Sequence, residues 1–359
     1  MSSFSLDDFD YKLPRELIAH APKNPRDSAR LLLLNRRNGH INHARFSSLT
    51  ELLRTDDVLV INDTKVMPSR LCVNKATGRS VELLLLESKQ GATWSVLSKP
   101  GLRKGNVLLL NQRRIAEVIT ESDDEGVASI QFLMTNTEVY ALMHKHGTMP
   151  LPPYIQTDLS QVQLKKKYQT VFALNEGSAA APTASLHFTH RSLNSLRDKG
   201  VNIVPLTLSV GLGTFKFLTA NSINQTTLHA EHFQIPTETA RALFQAKQQG
   251  RRIIAVGTTV TRALESSAES ILSKASSSDW QSTTLFIKPG YAFKLVDGLI
   301  TNFHVPQSSL LMLASAFTSH PNTSKTFTSF DRSMLGKAYT QAIENQYRFF
   351  SFGDAMLIE

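Results

Sequence analysis

The chain of 359 residues holds one cysteine, Cys72. A lone thiol builds no internal disulfide framework, and it supplies no zinc or iron–sulfur site made of several thiolates. Long apolar runs are missing too. The most apolar stretch, Leu310 to Phe317, falls well short of the roughly 20 residues that a bilayer-spanning helix needs. Met1 to Pro14 carries Asp7, Asp8 and Asp10 with no apolar centre, so no secretory signal is expected. Neither a phosphate-binding loop with its lysine nor a full three-glycine dinucleotide fingerprint occurs. No internal repeat is visible. These absences point to a soluble, cytoplasmic protein with no membrane partner.

What is present is ordinary globular material. Apolar residues make up 41% and charged residues 19%, enough to build cores and far from a disordered composition. At about 150 residues per domain, two or three domains are expected. The charge is uneven. Lysine and arginine number 39 against 30 acidic residues, and residues 151–359 hold 19 against 13, so that segment carries +6 of the +9. A basic excess suits a polyanion such as RNA, bound through phosphate contacts and counterion release; it also suits plain solubility.

Residues 28–66 read as a short α/β unit. Leu31 to Leu34 and Ile41 to Phe46 form a hairpin across Asn38-Gly39, and Ser48 with Glu51 reads as a capping box for a helix through Leu53. Val58 to Ile61 is a buried strand. The period then changes. Strand-like runs at 70–73, 80–87, 93–98, 106–111, 114–122 and 128–134 are separated by turn residues, with no helical pattern between them. Six such runs predict an antiparallel barrel. From residue 168 onward strands alternate with helices. Thr189 to Gly200, 240–250, 258–271, 308–317 and 333–345 read as helices, and 201–210, 253–256, 285–287 and 295–300 as strands. The prediction is a mixed α/β fold: a layered α/β domain from residues 1–66 and 151–359, with a six-stranded antiparallel barrel inserted at 67–150.

Five segments could carry chemistry. In Val256-Gly257-Thr258-Thr259-Val260-Thr261-Arg262, a buried strand runs into small polar residues and then a helix, whose free amides suit an anionic or polar group. Arg262 and Glu265 share a face of that helix; a plain cap with a surface ion pair fits equally. Val210-Gly211-Leu212-Gly213-Thr214-Phe215 puts two glycines at a strand end, where the backbone can approach a ligand or simply turn. Gly177 to Phe188, with Pro182, Thr183, His187 and Phe188, is too long and too uncharged for a simple turn. Leu228-His229-Ala230-Glu231-His232 offers a histidine or glutamate base. Its histidine spacing lacks the His-Glu-x-x-His metal signature, so no metal site is expected. Finally, Asp297 to His304 and Tyr347 to Asp354 place Asn302, His304 and Phe350 where an amide, an imidazole and a ring could meet a base.

Taken together, GSAAAPTASLHF, VGLGTF, LHAEHF, VGTTVTRALES, DGLITNFHVPQSSLLML and YRFFSFGDAM resemble the QueA family in order and spacing, as do DYKLPRELIAHAP and VLVINDTKVMPSRL. The resemblance covers about residues 8–358. Ser185, Ser209, Val260 and Lys288 stand where the family more often has glycine, histidine, a hydroxyl residue and tyrosine. The resemblance implies an S-adenosylmethionine:tRNA ribosyltransferase-isomerase with an α/β domain carrying an inserted barrel. Such an enzyme consumes S-adenosylmethionine as ribosyl donor, so no resident cofactor is expected, and it probes a tRNA whose wobble base is 7-aminomethyl-7-deazaguanine. The product is epoxyqueuosine; adenine and methionine leave. A monomer is expected. The sulfonium acidifies the 5′ protons, so a base must take one. His187, His229 and Glu231 are the candidates, with Glu265 or Asp297 balancing charge. Asp63, Thr183, Phe188, Gly211, Gly213, Thr214, Phe215, Gly257, Thr258, Thr259, Arg262, Asn302, His304 and Phe350 are expected to bind substrate.

Overall fold

The computed structural model describes residues 4–211, 218, 223, 225 and 227–359. Gly213, Thr214 and Phe215, expected at the donor, lie outside them.

A nine-stranded sheet organises the larger unit, in the order Gln281–Leu285, Thr227–Gln234, Asn202–Leu208, Val58–Asn62, Ile253–Val256, Gly298–Asn302, Ala355–Ile358, Arg30–Leu34, Ile41–Arg45. The four strands from Asn202–Leu208 to Gly298–Asn302 run parallel. Val58–Asn62, Ile253–Val256 and Gly298–Asn302 are buried at every position. Their near-continuous apolar runs suit a sheet covered on both faces. One face packs on the helices Thr237–Gln248, Thr258–Ser266, Ser309–Phe317 and Met334–Glu344. The other packs on Leu49–Leu52, His190–Asp198 and the 3-10 turn Thr183–His187.

The inserted strands Arg70–Lys75, Ser80–Ser88, Thr93–Lys99, Val107–Leu110, Arg113–Thr120 and Val127–Phe132 form a closed barrel with every pair antiparallel. Alternation drives it. Trp94, Val96, Ala128 and Ile130 turn inward while their neighbours face out. Closure leaves no open edge. A helix, Asn136–His146, follows the barrel with a full Thr135–Glu138 capping box.

Several local expectations differ. Ser48 makes no side-chain cap, because a 3-10 turn, Phe46–Ser48, already occupies the start of that short helix. Ser267 splits the helix over 258–271 in two. LHAEHF, assigned no element from the sequence, lies on the strand Thr227–Gln234. The strands expected at 285–287 and 295–300 fall at Gln281–Leu285 and Gly298–Asn302.

Candidate active site

A cavity of about 470 Å³ opens at the carboxyl ends of the central parallel strands, the customary ligand position in open α/β sheets. Gly257 begins it. Its N–H donates to the Ile300 carbonyl at 2.8 Å, and its φ of +94° and ψ of 155° lie where essentially only glycine goes. This turn launches the helix Thr258–Ser266 directly at the cavity, with no side-chain cap on its first amides. Thr258 and Thr259 line the wall. A second helix start, Ser308 to Leu310, lines it too. Two helix N-termini at one cavity favour negative charge there.

One turn into the first helix, Arg262 forms a buried ion pair with Glu231 from the neighbouring strand. Its Nε donates to the Leu285 carbonyl at 3.0 Å, while its Nη2 is buried with no partner among the described residues. Burial pushes the Glu231 carboxyl above its ordinary range, against the pull of the guanidinium. His229, two residues back on the same strand, also lines the cavity, and its Nε2 lies 3.5 Å from Glu125 of the barrel. A register irregularity between Thr227 and Glu231 lets Leu228, His229 and Glu231 all line the cavity. His232 instead meets barrel residue Glu87 at 2.9 Å.

The opposite wall comes from the chain after Gly298–Asn302. Asn302 Nδ2 donates to the Phe350 carbonyl at 3.2 Å, and Phe350 N–H donates to the Phe303 carbonyl at 3.1 Å. Phe350 sits at a φ of +68°, unusual for a bulky residue, and its ring leans on Tyr154 at 4.9 Å. His304 Nε2 pairs with Thr301 Oγ1 at 2.8 Å, and burial pushes its pKa down to about 3. Its ring is therefore neutral at physiological pH, able to hydrogen-bond but carrying no proton to give as an acid. Thr183, the first residue of the 3-10 turn, adds a hydroxyl.

Thus His229, Glu231, Thr183, Gly257, Thr258, Thr259, Arg262, Asn302, His304 and Phe350 are brought together. Other expected site residues are spent on the fold. His187 has both ring nitrogens on carbonyls, Ala184 at 3.1 Å and Gly353 at 3.0 Å, and stacks on Phe46. Burial lowers its pKa; it ties two loops together behind the cavity. Phe188 packs edge-on against Phe46 in the core. The Glu265 carboxylate accepts from the amides of Lys294, Leu295 and Val296 and from the Tyr291 hydroxyl. Asp297 precedes its strand, at the end remote from the cavity, and holds Lys247 and the Ile253 amide, each at 2.9 Å. Asp63 accepts from Thr207 at 2.7 Å and from Asn175 at 3.2 Å. Gly211 does not line the cavity among the described residues.

Tyr154, Ser308, Ser309 and Glu125 line the wall without having been singled out from the sequence. Ser308 was legible only as a helix cap, and Tyr154 follows the proline-rich turn Pro150, Pro152, Pro153 that aims it inward. Nothing in the pattern marks Glu125, which reaches the site only through the barrel's position.

Residues 6–358 match the family model described as "Queuosine biosynthesis protein". A relative from Halothermothrix orenii is 43% identical over 356 residues, covering 98% of this chain and 99% of that protein. Another, from Staphylococcus haemolyticus, is 45% identical over 358 residues, with 99% of both chains covered. Both are named S-adenosylmethionine:tRNA ribosyltransferase-isomerase. Among solved structures, the S-adenosylmethionine tRNA ribosyltransferase of Thermotoga maritima is similar at 32% identity and a TM-score of 0.52, covering 98% of this chain and 100% of that one.

Proposed function

The chain belongs to the queuosine biosynthesis protein family, and from that premise we propose that its cavity is where S-adenosylmethionine is taken apart and joined to tRNA. The protein is an S-adenosylmethionine:tRNA ribosyltransferase-isomerase. It transfers the ribosyl group to the aminomethyl group of 7-aminomethyl-7-deazaguanine at the wobble position and isomerises it to give epoxyqueuosine. It works as a cytoplasmic monomer, and S-adenosylmethionine is its consumed substrate.

The observation that carries this reading is the convergence of two helix N-termini, the Arg262–Glu231 pair and His229 on one cavity. The chemistry is redox-neutral. A carbon–nitrogen bond to the acceptor amine, the carbon–carbon bond that closes the carbocycle and the epoxide's new carbon–oxygen bond form, while the bonds to sulfur and to adenine and one furanose carbon–oxygen bond break. Of the protons lost from the 5′ carbon and the amine, one goes to the departing adenine and one to solvent, and methionine leaves with the sulfonium's electron pair. His229 takes the 5′ proton beside the sulfonium. It lines the cavity with its ring half exposed, and the Glu125 carboxylate supports the imidazolium that results. His187 is unsuited, since both its nitrogens already face carbonyls. Glu231, held by Arg262, supplies negative charge for a cationic donor. The amides at Thr258 and Ser309 suit the donor's carboxylate. Neutral His304 and Asn302 hydrogen-bond the purine or sugar.

Purified protein is given S-adenosylmethionine and tRNA carrying the aminomethyl base, and the products are separated by mass. Free adenine with methionine is expected; S-adenosylhomocysteine, or no product, refutes the reaction. His229→Gln should lower kcat by about 10²- to 10⁴-fold with donor affinity little changed. Unaltered turnover removes His229 from the role of base.

A further inference from the structure

Two helices finish side by side on one surface. Asn136–His146 ends in His144, Lys145 and His146, and Gln161–Lys167 ends in Lys165, Lys166 and Lys167. Lys165 Nζ donates to the His144 carbonyl at 3.2 Å, so the two last turns share a single face. Neither last turn contains an acidic residue. Glu176 answers Lys65 at 2.8 Å and His144 at 3.4 Å. Lys145, Lys166 and Lys167 form no ion pair among the described residues.

Cations at a helix C-terminus are favoured by the helix dipole and by its free carbonyls. Here that need is already met. Arg26 donates to the carbonyls of Lys166 at 2.7 Å, Lys167 at 3.3 Å and Gln169 at 2.6 Å. With Lys165 donating to the His144 carbonyl, the side chains of Lys145, Lys166 and Lys167 are surplus to this capping. Lys145, Lys166 and Lys167 carry charge with no ion-pair partner among the described residues, which the phosphates of an external polyanion can supply.

The position of this face relates it to the cavity. On the inner side, Leu164 and Tyr168 share a small core with Ala181, Leu186 and Phe352, and the Tyr168 ring meets Phe352 at 5.7 Å. Ala181 lines the cavity, as do Phe350 and Ser351, next to Phe352 in the chain. The cationic face thus stands one packed layer behind the cavity wall. A stem-loop that presents one base to the cavity carries its neighbouring phosphates across the adjoining surface.

We propose that the paired C-terminal turns His144–His146 and Lys165–Lys167 form the surface that holds the tRNA phosphate backbone. The proposal rests on the ribosyltransferase reading and adds where the nucleic acid docks. Each phosphate neutralised by a lysine contributes about 0.7–0.9 to the slope of log affinity against log salt.

The test uses the full chain with Lys166→Glu/Lys167→Glu, which leaves the Lys165–His144 hydrogen bond in place. Its comparator is Lys337→Glu, an exposed charge reversal on the last helix. The double variant should raise the KM for tRNA by about 10-fold or more and reduce the magnitude of the salt slope by about 1.4–1.8. The kcat at saturating tRNA and the KM for S-adenosylmethionine should stay unchanged. Lys145→Glu alone should show a smaller effect of the same kind. A tRNA KM and salt slope equal to those of Lys337→Glu overturn the proposal, and so does a fall in kcat without a change in KM. Failure of the ribosyltransferase reading would be distinct, because the unaltered protein would then release no adenine.

Discussion

Removing Arg262 while leaving Glu231 in place should strand a carboxyl group in the interior. Arg262→Met keeps most of the side-chain volume and deletes the charge. The partner carboxyl is only 4% exposed and cannot stay ionised there at low cost. The cheapest response is protonation. For a glutamate whose ordinary value is 4.5, staying neutral at pH 7 costs about 1.4 kcal/mol per pH unit, or about 3 kcal/mol. The sign is fixed. In the variant the folded-state pKa lies above the unfolded one, so the folded state keeps its full stability below pH 4.5 and loses it as pH rises. At pH 5 the penalty should therefore shrink to below about 1 kcal/mol. The double variant Glu231→Leu/Arg262→Met removes both charges and should recover to within about 1 kcal/mol of the parent at pH 7. Loss of the Arg262 hydrogen bond to Leu285 is common to both variants and cancels between them. Of the two tryptophans, Trp94 belongs to the barrel and Trp280 adjoins the strand Gln281–Leu285 beside the pair. Urea unfolding followed by Trp280 fluorescence in a Trp94→Phe background reads the relevant unit. A penalty constant between pH 5 and pH 7, or a double variant no more stable than the single one, refutes the reasoning.

Other outcomes are as specific. His304 is buried with its pKa pushed down to about 3, so its contribution is complete above the ordinary imidazole value and lost as pH falls towards 3. His304→Gln should thus move the midpoint of acid unfolding to lower pH, the native ring accounting for on the order of 5 kcal/mol by pH 3; an unchanged midpoint contradicts a neutral buried ring. Gly257→Ala meets no atom closer than 3.8 Å, so its cost comes from the φ of +94° and not from a clash. It should destabilise by about 1–3 kcal/mol and weaken S-adenosylmethionine binding, and calorimetry showing full affinity would detach this turn from the donor. Glu125→Gln should shift the pH profile of kcat/KM while leaving the barrel folded; an unmoved profile separates the barrel carboxylate from His229.

Much of the fold was legible because its causes are local. The barrel follows from alternation along six short runs and the turns between them. The strand–glycine–helix passage at Val256 to Thr258 follows from an apolar run meeting a residue free to take positive φ. The strand Ala355–Ile358 was missed because it follows directly on the aromatic run Tyr347 to Phe352, with no helix before it to set it apart as the buried strand Ile253–Val256 is set apart. The Ser48–Glu51 pattern marked the helix Leu49–Leu52 but not its cap, because a 3-10 turn already holds Ser48. The carboxylates divide for a different reason. Glu265 and Glu231 are both buried glutamates in family-like motifs, and no local pattern separates them. What separates them is a distant partner: three backbone amides close around Glu265, while Glu231 meets one arginine at the cavity. The histidines turn on periodicity. On a helix, His229 and His232 at i and i+3 would share a face and could converge on one ligand. On the strand Thr227–Gln234 each meets its own barrel carboxylate instead, Glu125 for His229 and Glu87 for His232. The extended backbone thus separates a metal-like histidine pair onto two different carboxylates, with no residue altered.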